Sequence, residues 1–432
     1  PTRKARSSEE AALLEKAARY LPGASTGNMY YDAADAFVIK EGRGSKLYDY
    51  SGNEYIDYLM SVGTMLVGHA NPRVVEAVAE ALAGGSNFYI MNGAAVELAE
   101  EIAKAVPGAE KVRFMCSGAE ATFYAMRIAR AYRGRDKIVK FEGAYHGNND
   151  YSMMSFDPNP PREFPLATRS TAGIPKVLEG EVLVCPFNDI PTTSAIIEKH
   201  HDQIAGVIVE PVQRIYPPKP GFLEGLREVT RHYGIPLIFD EIVTGFRWAY
   251  GGAQEYFGVR ADLVALGKTL GGGYPIGAVC GREEIMRVLD PASKAEGSYV
   301  FQSMTLGGNR IAAVAGLATL RELRREGTYP RLFAMGAKLK SELARLVKDL
   351  NVPGVVCGDP PCFDVLFGLE EEPTDYRSSM KLDVKMTQRF KRHLLEAGVF
   401  KYDTKLYLST AHSTEDLDRT IEAMAYALDR AL

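Results

Sequence analysis

The stretch "DLVALGKTLGGGYPIGAVC" (262–280) sets two apolar runs, 262–266 and 276–280, on either side of one lysine and a cluster of glycines. Working outward, runs of the same kind recur at 111–116, 137–141, 182–186, 205–210 and 235–239, mostly separated by helix-length segments. Seven such runs, short and nearly continuous in apolar residues, are what a largely parallel sheet buried on both faces requires. The middle of the chain therefore reads as an α/β domain with a mostly parallel seven-stranded sheet. Before it, a helix up to Tyr20 leads into "FVIKEGRGSKLYDYSGNEYIDYL" (37–59), alternating apolar residues broken by glycine-bearing turns. After it, a long helical stretch (309–350) is followed by strand-like 362–369, a helix over 381–397, strand-like 405–411 and a final helix from about Thr414. Residues 66–325 are assigned to a large domain. The flanks, 1–65 and 326–432, are assigned to a small α+β domain built from both termini.

Composition narrows the class of function. Of 432 residues, 46% are hydrophobic and 25% charged, the balance of a globular protein with room for more than one core. A net charge of -4 gives no footprint for nucleic acid, so no nucleic-acid partner is expected. The five cysteines (Cys116, Cys185, Cys280, Cys357, Cys362) form no CxxC pair and sit mostly in apolar runs, which points to reduced residues and no metal site. The chain opens with a polar stretch and an amphipathic helix, neither a signal peptide nor a membrane span, which implies a cytoplasmic protein without a membrane partner.

In open parallel sheets ligands gather beyond the carboxyl ends of the strands. Beyond 111–116 come Ser117, Gly118 and Ala119, opening a helix whose first N–H groups suit an anion. Beyond 137–141 come Tyr145 and His146, and the run 205–210 finishes in Glu210. Asp240 directly follows apolar residues, where a carboxylate needs a cationic or N–H partner. Lys268 follows the next run, among glycines that permit close approach. Each of these has an ordinary reading: an N-cap, a structural ion pair, a surface lysine. One cofactor unites them. Pyridoxal 5'-phosphate requires an anion cradle, a carboxylate for its ring nitrogen, an apolar or aromatic ring cover and a lysine amine for its aldehyde.

The motifs "GHANPRVVEAV", "SGAEAT", "YHG", "VEPV", "PGFLEGLREVTRHYGIPLIFDEIVTGFR", "GGAQEYFGVRADLVALGKTLGGGYPIGA" and "TLGGN" make the resemblance specific. From about residue 20 to 423 the chain resembles the class III (subgroup II) aminotransferases of the fold-type I pyridoxal-phosphate superfamily, in the branch that includes glutamate-1-semialdehyde 2,1-aminomutase. The resemblance implies that Lys268 bonds the cofactor and moves protons, that Asp240 partners the ring nitrogen, and that Tyr145 and Ile242 cover the two ring faces. It implies that Ser117, Gly118 and Ala119 hold the phosphate, with His146 and Glu210 beside the site. It also implies a homodimer with shared sites, in which Thr305 comes from the neighbouring subunit.

Three departures bear on substrate. Met29 stands where the aminomutase has an arginine, Lys401, Asp403 and Lys405 stand near the place of a glutamate, and the segment after "YHG" is longer and aromatic. With Met29, Tyr30 and Tyr31 as candidate substrate residues, these changes favour an aminotransferase acting between an amine or amino acid donor and a carbonyl acceptor, with an aromatic or apolar substrate. The alternatives are the aminomutase itself, which moves an amino group within one molecule, and a noncatalytic protein that only binds the cofactor.

Overall fold

The computed structural model describes residues 3–432 except 28, 30, 31 and 34. It divides into a smaller unit (Pro1–Asn71, Pro330–Glu372, Leu382–Leu432) and a larger one (Pro72–Tyr329, Pro373–Lys381). The smaller unit begins with the helix Ser8–Tyr20, capped by the Ser7 hydroxyl accepting from the Glu10 N–H. An antiparallel meander of β1 (Ile39–Arg43), β2 (Lys46–Asp49) and β3 (Glu54–Asp57) follows.

The larger unit is built on β4 (Lys111–Met115), β5 (Lys137–Phe141), β6 (Val182–Cys185), β7 (Ile204–Val209), β8 (Leu237–Asp240), β9 (Leu263–Leu266) and β10 (Gly277–Gly281). These are the seven apolar runs of the sequence, and they form one sheet in the order β4-β10-β9-β8-β7-β5-β6. Strands β6 to β10 are buried at every position, which is why they show no alternation. All neighbours are parallel except β10, antiparallel to both β4 and β9. The connection 267–276 is too short for the parallel crossover of about a dozen residues, so the chain reverses there.

The helix Gly118–Arg133 packs its small residues Ala121, Ala125 and Ala129 with Ile138, Ile208, Ile238 and Leu263 of the sheet. Phe141, Phe187 and Phe222 form a second knot, with ring centroids 4.7–6.0 Å apart.

The helical stretch expected over 309–350 consists of two helices, Arg310–Leu323 and Thr328–Asp349. In the smaller unit, β11 (Gly354–Asp359), β12 (Cys362–Phe367) and β14 (Leu406–Tyr407) form an antiparallel sheet. β13 (Val399–Phe400) lies parallel to β3 at the edge of the meander, and the helices Val384–Glu396 and Thr414–Ala431 pack on each other. The sequence reading gave 326–432 to the small domain as a block. The structure takes 373–381 out of it, because Tyr376 bonds Asp157 (2.8 Å) and Arg377 bonds Glu142 (2.7 Å) in the larger unit. Among the described residues no helix is long and apolar enough to cross a membrane, and no cluster of His, Cys, Asp or Glu is placed to hold a metal ion.

Lys401 is a structural residue of the smaller unit. Its Nζ lies 2.6 Å from the Asp364 carboxylate on β12, with the two side chains 1% and 0% exposed. Burial pushes the Asp364 carboxyl up to about 6, with Lys401 pulling the other way. Lys401→Met should strand that carboxylate and cost about 3–5 kcal/mol of stability in thermal unfolding. Adding Asp364→Leu should recover most of the loss.

Candidate active site

Parallel strands put their carboxyl ends at one edge of the sheet, so the segments leaving β5, β7, β8 and β9 share it. Asp240 ends β8, opposite Ala265 of β9, three residues before Lys268. Asp240 is 4% exposed, and both its oxygens are engaged: Oδ2 lies 2.6 Å from His146 Nδ1, and Oδ1 accepts from the Ile242 N–H at 3.0 Å. An imidazole donating from Nδ1 fixes the direction of this carboxylate. His146 is itself buried, with Nε2 making no hydrogen bond.

Lys268 opens a short 3-10 turn with φ +45°, a conformation costly for a residue with a Cβ. Burial pushes its amine below the usual lysine value. Asp240 and Glu210 pull it back up, and Arg247 and Arg214 add to the depression. The result is an amine with a larger neutral, nucleophilic fraction than an exposed lysine has.

The helix Gly118–Arg133 brings its N-terminus to the same place. Ser117 caps it by accepting from the Glu120 N–H, and Glu120 Oε2 in turn accepts from the Cys116 N–H at 2.8 Å. The N–H groups of Gly118 and Ala119 lie in the first turn, where a helix supplies them no acceptor. Close packing sets the position. A Cβ on Gly118 would meet Ile242 Cδ1 at 2.8 Å, and one on Gly277 would meet the Ser117 carbonyl oxygen at 2.2 Å. Ile242 thus sits against both Gly118 and Gly267.

Tyr145 is 36% exposed, with its ring 5.3 Å from Phe156 and its hydroxyl bonded to Asn148. Its backbone N–H donates to Glu210 Oε1 at 2.7 Å, which ties the end of β7 to the segment after β5. Sequence reading missed what anchors that segment. Lys140, inside the apolar run of β5, is 1% exposed and donates to the carbonyls of Ala144, Ser152 and Met154, satisfying all three of its N–H bonds. Burial pushes its amine down to about 7. The only signal was the second lysine of "KIVKF", set between apolar residues. Glu241 was missed too: it holds the turn after Asp240 by accepting from the Thr244 hydroxyl and the Ala253 and Gln254 N–H groups.

The sequence also singled out Thr305 and Met29. Thr305 is exposed, and its carbonyl accepts from Asn87 Nδ2 at 2.9 Å. Met29 packs on the core of the smaller unit with Leu47, Tyr55, Leu395 and Phe400. Tyr30 and Tyr31 lie outside the described residues.

The chain matches the family model of the class-III aminotransferases over residues 29–425. A glutamate-1-semialdehyde 2,1-aminomutase of Methanopyrus kandleri (strain AV19) is 41% identical, across 98% of this chain and 97% of that protein. An omega-transaminase from Sphaerobacter thermophilus superposes with a TM-score of 0.92 at 37% identity, covering 98% of this chain and 97% of that one. A transaminase solved with PLP bound superposes with a TM-score of 0.89 at 29% identity, covering 99% of each chain.

Pyridoxal phosphate fits the residues present: an N-terminal cradle that a Cβ would fill, a buried carboxylate with its imidazole, and a lysine amine of lowered basicity. Gly277→Ala should push Ser117 off its place and lower cofactor retention by roughly one to two orders of magnitude with circular dichroism unchanged. Gly180→Ala, whose Cβ meets nothing within 4 Å, is the control expected to retain cofactor.

Proposed function

Since the chain belongs to the class-III aminotransferases, we propose that it moves an amino group of a carboxylate-bearing amino aldehyde or amino acid, with the aminomutase reaction as its leading activity. The observation that carries the amino-transfer reading is the pairing of Asp240 and Lys268 at the ends of adjacent strands, the carboxylate held by His146 and the amine depressed by burial. When bound, pyridoxal phosphate supplies the electron sink that stabilises negative charge on the substrate carbon. Lys268 would hold the cofactor through its amine, and that amine, when neutral, would take and return a proton at the substrate carbon. Asp240 would keep a proton on the ring nitrogen, with His146 holding Asp240 in place. The N–H groups at Gly118 and Ala119, with the Ser117 hydroxyl, hold the phosphate. Tyr145 and Ile242 cover the ring, with Glu210 fixing the Tyr145 backbone.

The preference for an aromatic or apolar substrate drawn from sequence loses its footing. It leaned on Met29, which packs into the core of the smaller unit, and on two tyrosines outside the described residues. The aminomutase identity of the M. kandleri relative favours the alternative. A second reading, transfer between two substrates, draws on the likeness to the omega-transaminase. The experiment separates them. Borohydride reduction of the holoenzyme should fix the cofactor on Lys268 alone. Glutamate-1-semialdehyde with no added carbonyl acceptor should then be converted to the isomer with its amino group moved from C2 to C1. A requirement for an added acceptor would establish the second reading, and a label on another lysine would overturn the assignment.

Two copies complete each site in this proposal, with Thr305 of one reaching the phosphate held by the other. Support comes from the apolar surface around Thr305: Phe88, Tyr89, Ile90 and Met91 are 46–85% exposed, beside Phe301 at 69% and Leu306 at 52%. Asn87 and Tyr89 bond the backbone of Thr305 and the hydroxyl of Ser303, so patch and threonine form one surface. Met91→Asp should shift light scattering from dimer to monomer and release cofactor in parallel.

A further inference from the structure

Beside Tyr145 stands an arginine that neither the reaction nor the fold uses up. Arg214 follows β7, is partly buried and holds φ +62°, with its backbone N–H donating to Glu210 Oε2 at 2.8 Å. Its Cζ lies 4.8 Å from the centroid of Phe156 and 5.8 Å from that of Tyr145. Its Nε donates to the Gly143 carbonyl at 2.9 Å. Stacking and one bond fix the plane of the guanidinium while leaving the outer edge of the fork open. Among the described residues no carboxylate lies within ion-pair distance of it.

The carboxylates around it are engaged by other groups. Glu142 is held by Arg377 at 2.7 and 3.1 Å, Asp240 by His146, and Glu210 by the N–H groups of Tyr145 and Arg214. The other arginines of this region are committed. Arg377 bonds Glu142 and the Arg162 carbonyl and stacks on Phe164, while Arg162 and Arg169 share Glu179. Arg247 is 0% exposed. The charge of Arg214 also reaches the chemistry, since it is one of the groups that lower the Lys268 amine.

We propose that Arg214 binds the substrate carboxylate, so that donors carrying a carboxylate are selected over amines without one. The assignment rests on the amino-transfer reading above and adds to it the group that recognises the substrate. It supplies from the β7 exit the guanidinium that the sequence lacks at Met29. A planar fork donating to two carboxylate oxygens suits this task better than a lysine would.

The test uses the holoenzyme with the wild-type sequence, Arg214→Met and Arg214→Lys. The first probe is glutarate, a carboxylate with no amino group to react, titrated by calorimetry. Arg214→Met should weaken glutarate binding by about 10- to 100-fold, with part of the loss recovered in Arg214→Lys. The second compares half-reactions of phenylalanine and 2-phenylethylamine, which differ by the carboxylate alone. The ratio of their kcat/KM values should fall by about 10- to 100-fold in Arg214→Met, carried mainly by KM for phenylalanine. Unchanged glutarate binding, or an equal fall for both donors, overturns the proposal. Glutarate binding needs no turnover, so an Arg214-dependent glutarate site in a protein that transfers no amino group would overturn the amino-transfer reading and leave the carboxylate site standing.

Discussion

Ser117 reaches the ends of β8 and β9 only because the places where it would collide carry no Cβ. The Gly277 position leaves room for the Ser117 carbonyl, and Gly118 and Gly267 both lie against Ile242. A helix N-terminus, a carboxylate and an amine thereby share one edge of the sheet. Those are the three groups of fixed charge character that a phosphorylated aldehyde cofactor asks for. The reversal of the chain between β9 and β10 serves the same end, since it places the Gly277 end of β10 beside Met115 at the end of β4, next to Ser117.

Burying that much charge requires local compensation, and the structure supplies a different kind for each group. Asp240 has an imidazole and a backbone N–H. Glu241 has two backbone N–H groups and a hydroxyl. Lys140 has three carbonyls of the segment that carries Tyr145 and His146, so its burial fixes that segment. Arg377 closes over Glu142 at the start of that segment. Lys268, like Lys140, keeps enough of its burial penalty to lower its basicity.

The sheet was legible because β6 to β10 are buried on both faces and leave nearly continuous apolar runs. Ser117, Asp240 and Lys268 were legible because polar residues directly after such runs stand out. β13 was not, since two residues carry no period and its partner β3 is far away in sequence. Lys140 and Arg214 escaped for the same reason: their partners at Met154, Phe156 and Gly143 are assigned only once the loops fold. Met29, singled out by comparison with a family, packs against the core of the smaller unit.

The path of the chain has a consequence for its synthesis. The sheet begun by β1, β2 and β3 gains its last strand from residues 399–400, and Glu142 waits for an arginine 235 positions downstream. On a ribosome, most of the polypeptide must emerge before either unit can close, and loops of that length make the closing contacts slow to find. The strands of the large sheet stay open to wrong pairings during that interval. Truncation from the carboxyl end would therefore damage the larger unit as well as the smaller one, and neither could be produced alone by cutting the gene at a single point.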